Sequence, residues 1–274
     1  MSSCLLNTYI VRSLRNYPFD QPFFFRCSDT INVKGYNFYF LHKNKAAIKM
    51  QDTTNNDVYQ FLDFVLSSNV LSFGKFKTKA GRDSPYFFNT GKFSNGKLLA
   101  TLADFYAKKI IYIIEHHKLS IDCLYGPAYK GIPLVSAITV TLCRYSLNLE
   151  IAYDRKEEKT HGEGGHIVGD VSGKNVLIID DVISAGLSSK RAIEFVRKQN
   201  GNVSGILVAL DRMERGESSD SENFKNTTEE IMTMTGVPVF SLADLSHLKN
   251  CGQIDSDNAK QIDLYIQKYG SYVK

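Results

Sequence analysis

The stretch Val176–Ser189, VLIIDDVISAGLSS, decides how this chain is read. Val176 to Ile179 is a continuous, mostly β-branched apolar run, the composition of a parallel strand covered on both faces. Two carboxylates, Asp180 and Asp181, stand where the run stops. Small residues follow (Ser184, Ala185, Gly186, Ser188), and then a helical pattern with Ile193, Val196 and the stem of Arg197 on one face. Open α/β sheets bind ligands at the carboxyl ends of their strands, and the N–H groups of a helix start attract phosphate. Acids suited to sugar hydroxyls or a metal thus stand beside a turn suited to phosphate, and a ribose 5-phosphate matches both. An acid pair can also simply cap the next helix; the small-residue turn between the two elements favours the ligand site.

Working outward, Ile121–Tyr125 is a second buried strand. It ends in Gly126-Pro127-Ala128-Tyr129-Lys130-Gly131, which opens a helix from Ile132 to about Leu147. Lys130 at this second strand end points to an anion. Leu149–Tyr153, Val203–Leu210 and Val237–Leu242 are further strands. Leu98–Ile114 is a helix with Leu98, Leu102, Phe105, Ile110 and Ile113 near one face, and Asp255–Lys268 a helix with Ile262, Leu264, Tyr265 and Tyr269 on its apolar side. Strands alternating with helices predict an α/β domain with a mostly parallel sheet flanked by helices. Upstream, Asp57–Leu66 is amphipathic. Leu71–Gly91, LSFGKFKTKAGRDSPYFFNTG, alternates like a hairpin with Lys79 at its tip. Phe87 and Phe88, being adjacent in a strand, face opposite sides. Arg155–Gly169, RKEEKTHGEGGHIVG, has no apolar periodicity and reads as a mobile cationic loop able to close over a polyphosphate. Gly216–Glu230 is polar and reads as an exposed insertion.

Composition bounds the function. The 274 residues carry a net charge of +4, too little to argue for nucleic acid, and no apolar run spans a bilayer. The 5 cysteines are scattered and odd in number, which suits a reducing compartment rather than a disulfide framework. Cys123 and Cys143 lie in apolar runs and are expected in the core. Arg12 and Arg15 precede any acid, faintly like a transit peptide, without the Arg and Ser density of one. A cytoplasmic location is expected, with organelle targeting left open.

The central stretch resembles the PRPP-binding signature of the type I phosphoribosyltransferases, PRPP being 5-phosphoribosyl 1-diphosphate. With SFGKFKTKAGRDSPYFFNTG, LYGPAYKGIPL, DRKEEKTHGEGGHIVG and LDRMERG in order, the chain from about Leu71 to Gly216 is similar to the orotate phosphoribosyltransferases. The resemblance implies the type I fold with a small hood: residues 1–56 an N-terminal extension, 57–95 and the C-terminal segment the hood, and about 96–242 the core. It implies transfer of phosphoribose from PRPP to orotate in UMP biosynthesis. It also implies Mg²⁺ held mainly by PRPP and water, and a homodimer sharing loop 155–169 across its interface. A separate orotidylate decarboxylase is a partner it leaves open.

The resemblance also assigns roles. Asp180 and Asp181 would hold the ribose hydroxyls, and Val182, Ile183, Ser184, Ala185, Gly186, Leu187 and Ser188 would wrap the 5-phosphate. Lys79, Tyr129 and Lys130 would contact PRPP. Arg155, Lys156, Lys159 and His161 would close over the pyrophosphate, with Lys159 and His161 catalytic alongside the two acids. Phe87, Phe88, Lys79, Ser184 and Arg212 would form the orotate site, Arg212 matching a carboxylate with its planar fork. Ser184 and Leu187 stand where many family members carry Thr; Leu187 removes a donor, so phosphate would lean more on backbone N–H groups. Another base, or a PRPP-sensing regulator without catalysis, is the alternative; a non-carboxylated base would not need Arg212, and a regulator would not need the loop cations.

Overall fold

The structure, a computed structural model, describes residues 31–33, 36–38, 54–78, 81–159, 165–216 and 226–271. The chain divides into two compact units, Met1–Asp52 and Thr53–Lys274. In the first, β1 (Ile31–Val33) pairs antiparallel with β2 (Tyr36–Phe38). The second opens with helix α1 (Thr54–Ser67), which starts ahead of the expected Asp57. Strands β3 (Leu71–Lys77) and β4 (Asp83–Phe88) form a separate antiparallel hairpin. Then come α2 (Gly96–His117), β5 (Cys123–Gly126), α3 (Gly131–Arg144), β6 (Glu150–Lys159), β7 (Gly165–Val168), β8 (Asn175–Ile183), α4 (Leu187–Lys198) and β9 (Asn202–Asp211). Helix α5 (Thr227–Thr235), β10 (Val239–Asp244), α6 (Leu245–Asn250) and α7 (Ser256–Tyr269) complete the unit.

The main sheet has the order β10-β9-β8-β5-β6-β7, parallel except for β7 at its edge. The apolar runs explain β5, β8 and β9: Leu124, Leu177, Ile178, Ile179, Ile206, Leu207 and Val208 are all fully buried. Each such side chain contributes roughly 1.5–3 kcal/mol on leaving water. Successive residues serve opposite faces. Leu177 and Ile179 join the core shared with α1, α2, α3 and the β3–β4 hairpin, whereas Val176 and Ile178 join the core shared with α4 and α5. The sheet is therefore covered on both sides, as an all-apolar strand requires. The strand order reverses between β5 and β8, the place where an open α/β sheet leaves a crevice.

Several expectations are corrected. Asp180 and Asp181 do not end their strand, because β9 is long enough to keep the ladder going to the pair Ile183–Asp211. The segment Arg155–Gly169 is not a loop throughout. Its arms are β6 and β7, paired from Tyr153–Val168 to Lys159–Gly165, with only residues 160–164 outside the description. A ribbon paired through its backbone needs no apolar alternation, so composition did not reveal it. The end of the expected insertion, Thr227–Glu230, is the first turn of α5, and Thr227 and Glu230 are buried. Asn226 and Glu229 form a capping box that starts this helix. Cys143 is exposed on α3, since Leu142 takes the inward position one residue earlier. Leu264 is exposed too, α7 turning Ile262 and Tyr265 inward instead. On α2 the buried stripe runs through Ala103, Tyr106, Ala107 and Ile110, where small residues let the helix sit close.

Candidate active site

The crevice is made by a difference in strand length. Pairing between β5 and β8 ends at Tyr125–Ile178, while β8 continues to Ile183. Asp180 and Asp181 therefore project beyond the end of β5, on opposite faces of the sheet. The chain leaves β5 through a turn so tight that a Cβ on Gly126 would lie 2.4 Å from the Gly131 carbonyl oxygen. The peptide between Ala128 and Tyr129 in this turn is cis. The Ala128 N–H donates to Asp154 Oδ1 of β6 at 2.6 Å, which ties the turn to the neighbouring strand.

Lys130 extends its ammonium to Asp181 Oδ2 at 2.8 Å. The Thr90 hydroxyl donates to the same oxygen at 2.7 Å. Burial by itself would push the Asp181 carboxyl up, but Lys130 and Thr90 outweigh it and hold it below the usual carboxylate range. Asp180 differs. Burial, then the neighbouring Asp181 charge, push it up to about 7. Environments that drive two carboxyls apart in this way give them different protonation states near neutrality. The Tyr106 hydroxyl donates to the Asp180 carbonyl at 2.8 Å and fixes the backbone beneath the pair. A cleft of about 260 Å³ opens over Asp181, walled by Thr90, Phe93, Tyr106, Lys130 and Leu134.

The turn after β8 is held from below. Thr227 Oγ1 donates to the carbonyl of Ser184 at 2.6 Å. Gly186 has φ +81° and caps α4 without a side-chain hydrogen bond. A Cβ there would lie 2.7 Å from Thr227 Cγ2, so both the backbone conformation and the space call for glycine. Among the described residues no side-chain cap bonds the first-turn N–H groups of α4, an arrangement that can accept phosphate. Ala185 is buried, Ser184 and Val182 are half-buried, and Leu187 and Ser188 are exposed at the helix start. Ser188 Oγ lies 3.5 Å from Asp180 Oδ2, joining the turn to the acids.

The structure thus brings together Asp180, Asp181, Lys130 and residues 182–188, with exposed Tyr129 in the adjoining turn. Lys79 and His161 lie outside the described residues, as do the side chains of Lys156 and Lys159 on β6. Arg155 is half-buried. On β4 Phe88 faces the core and Phe87 is exposed, its ring tilted 31° against that of Phe76 with centroids 5.4 Å apart. Arg212 follows β9, and its N–H donates to the Ile183 carbonyl at 3.1 Å. Its guanidinium is buried beneath the hairpin, where it meets Ser84, Glu214 and Tyr265. Sequence reasoning did not single out Thr90, Tyr106, Asp154 or Thr227. Thr90 lies inside the quoted hairpin motif, and the Asn226–Glu229 capping signal places Thr227; nothing local marks Tyr106.

Comparison with known proteins agrees with this geometry. Residues 95–240 match the family model described as "Phosphoribosyl transferase domain", a span that includes Lys130, Asp180, Asp181 and the Gly186 turn. The chain is 42% identical over 223 residues to an orotate phosphoribosyltransferase of Polynucleobacter necessarius, covering 80% of this chain and 99% of that one. With the orotate phosphoribosyltransferase of Nitrosospira multiformis it shares 46% over 189 residues, 69% of this chain and 79% of the relative. The crystal structure of the Francisella tularensis orotate phosphoribosyltransferase superposes with a TM-score of 0.65 at 38% identity, over 77% of this chain and 100% of that one. A relationship of this degree, running over nearly the whole length of the relative and through the strands and turns that make the crevice, shows that this protein belongs to the orotate phosphoribosyltransferases of the type I phosphoribosyltransferase family.

Proposed function

We propose that the protein transfers the 5-phosphoribosyl group of PRPP to a ring nitrogen of orotate, giving orotidine 5′-monophosphate and pyrophosphate in UMP synthesis. The observation that carries this reading is the pairing of Asp180 and Asp181 with Lys130 beside the Gly186-capped start of α4. One half suits the ribose hydroxyls and the other the 5-phosphate. The C1–O bond to pyrophosphate breaks and a C1–N bond forms, with positive charge growing on the ribose and negative charge on the leaving group. Catalysis then needs alignment and neutralisation more than covalent chemistry. Lys130 at the crevice and the cations of the segment 155–169 supply positive charge, and closure of that segment over the pyrophosphate would keep water from the sugar cation.

Mg²⁺ suits two adjacent carboxylates, which offer hard oxygen atoms, and it characteristically keeps water ligands and rides on substrate phosphates. Asp180 and Asp181 would hold its water shell, and the ion would stabilise charge on pyrophosphate. The same reading includes a homodimer that shares the segment 155–169 across its interface, and a cytoplasmic setting. Among the described residues no helix is long and apolar enough to cross a membrane.

The test is the loss of orotate absorbance when purified protein is mixed with orotate, PRPP and Mg²⁺, with adenine, hypoxanthine and uracil in parallel. Turnover with orotate alone is expected. Turnover with another base would overturn the choice of base, and PRPP binding with no turnover on any base would overturn catalysis.

A further inference from the structure

A buried polar cluster lies away from the acid pair, between the hairpin, the segment after β9 and the C-terminal helix. At its centre is Glu214, with no exposed surface. Its Oε1 accepts from Arg212 Nε at 2.6 Å and from the Tyr265 hydroxyl, and its Oε2 accepts from Arg82 Nη1. Arg212 Nη2 donates to Ser84 Oγ at 2.9 Å and to Tyr265 Oη at 2.6 Å. The guanidinium also lies over the Tyr86 ring, 4.4 Å from its centroid.

The donors and acceptors can be followed without conflict. Ser84 Oγ donates to the Tyr86 carbonyl at 2.7 Å and so accepts from Arg212. Tyr265 donates to Glu214 and so also accepts from Arg212. Arginine has five N–H donors in a fixed fork. The Nε and Nη2 donors are spent inside the cluster, and among the described residues Nη1 has no hydrogen-bond partner. The fork is thereby clamped along one edge, and its plane is set by the Tyr86 ring beneath it.

We propose that Glu214 and Tyr265 are positioning residues that hold the Arg212 guanidinium with its Nη1 edge kept for the carboxylate of the base, so that the C-terminal helix takes part in base selection. This rests on the assignment of orotate as substrate. A planar cation read by a carboxylate discriminates by geometry as well as charge. Releasing the clamp lets the fork rotate, and the carboxylated base loses its advantage over the same base without a carboxylate.

The experiment compares binding of orotidine 5′-monophosphate and uridine 5′-monophosphate, which differ by that carboxylate, in the parent enzyme, Tyr265→Phe and Glu214→Gln. The parent is expected to prefer the carboxylated nucleotide. Tyr265→Phe, which keeps the ring and loses only the hydroxyl, should lower that preference by about tenfold, the scale of a hydrogen bond to a charged group. Affinity for uridine 5′-monophosphate and the KM for PRPP should stay put. Glu214→Gln should act in the same direction and more strongly if it folds; Tyr265→Phe decides the matter if it does not. An unchanged preference in Tyr265→Phe, or an equal loss for both nucleotides, overturns the positioning role. A parent enzyme with no preference at all overturns the choice of orotate instead.

Discussion

Asp180 is held in the folded chain as a carboxyl that resists ionisation. Its ordinary value of 3.8 is pushed up to about 7 by burial and by Asp181 next to it. Between those values the folded chain binds a proton that the unfolded chain has lost, so stability falls as pH rises through this window. Asp180→Asn removes the charge and most of this effect. Above pH 7 the variant should be the more stable protein by on the order of 1 kcal/mol or more, and the two should converge as pH falls towards 4. Thermal melts across that range check this; a gain of the same size at every pH would assign it to another cause. The residue was legible in the sequence as half of an acid pair. Its inequality with Asp181 was not, because Lys130 and Thr90, which make the difference, come from other elements.

At the scale of elements, the close approach of β5 to α3 is the tightest constraint in the crevice. Gly126→Ala would set its Cβ against the Gly131 carbonyl, and that backbone has no free rotamer to turn aside. The variant should lose about 1–3 kcal/mol of stability and bind PRPP more weakly, as chemical denaturation and titration would measure; a neutral result would mean the turn can open. The β6–β7 hairpin makes the opposite demand. If Lys159, on β6, serves the leaving pyrophosphate as proposed, Lys159→Ala should lower turnover far more than PRPP affinity, because the charge it would meet grows mainly in the transition state. Collapse of binding with turnover intact would sink that role. The sequence revealed the elements that own an apolar face, such as β8 and α2. It hid the β6–β7 pairing, which is made by backbone groups, and α5, whose TTEEIMTMT run shows little periodicity and announces itself only through its cap.

For the whole molecule, the alternation of strands and helices foretold a parallel sheet but not its order. That order sets β6 on one side of β5 and β8 on the other, and it is the order that creates the crevice. The Arg82–Glu214 pair spans 132 positions of sequence and the Arg212–Ser84 pair 128, so neither was visible to any local pattern.

Those same spans say when the Glu214 cluster comes into being. Contacts between such distant segments form only after the chain has met the entropy of closing the intervening loops. The sheet must then be in place before the hairpin, the segment after β9 and α7 can converge on one carboxylate. Stabilisation that arrives after the folding barrier acts on the return journey: Tyr265→Phe should leave the folding rate within about twofold and speed unfolding. A chevron whose folding limb moved instead would put the cluster in the nucleus. The cluster thus works as a latch on the lifetime of the native chain, slowing its escape without hastening its arrival.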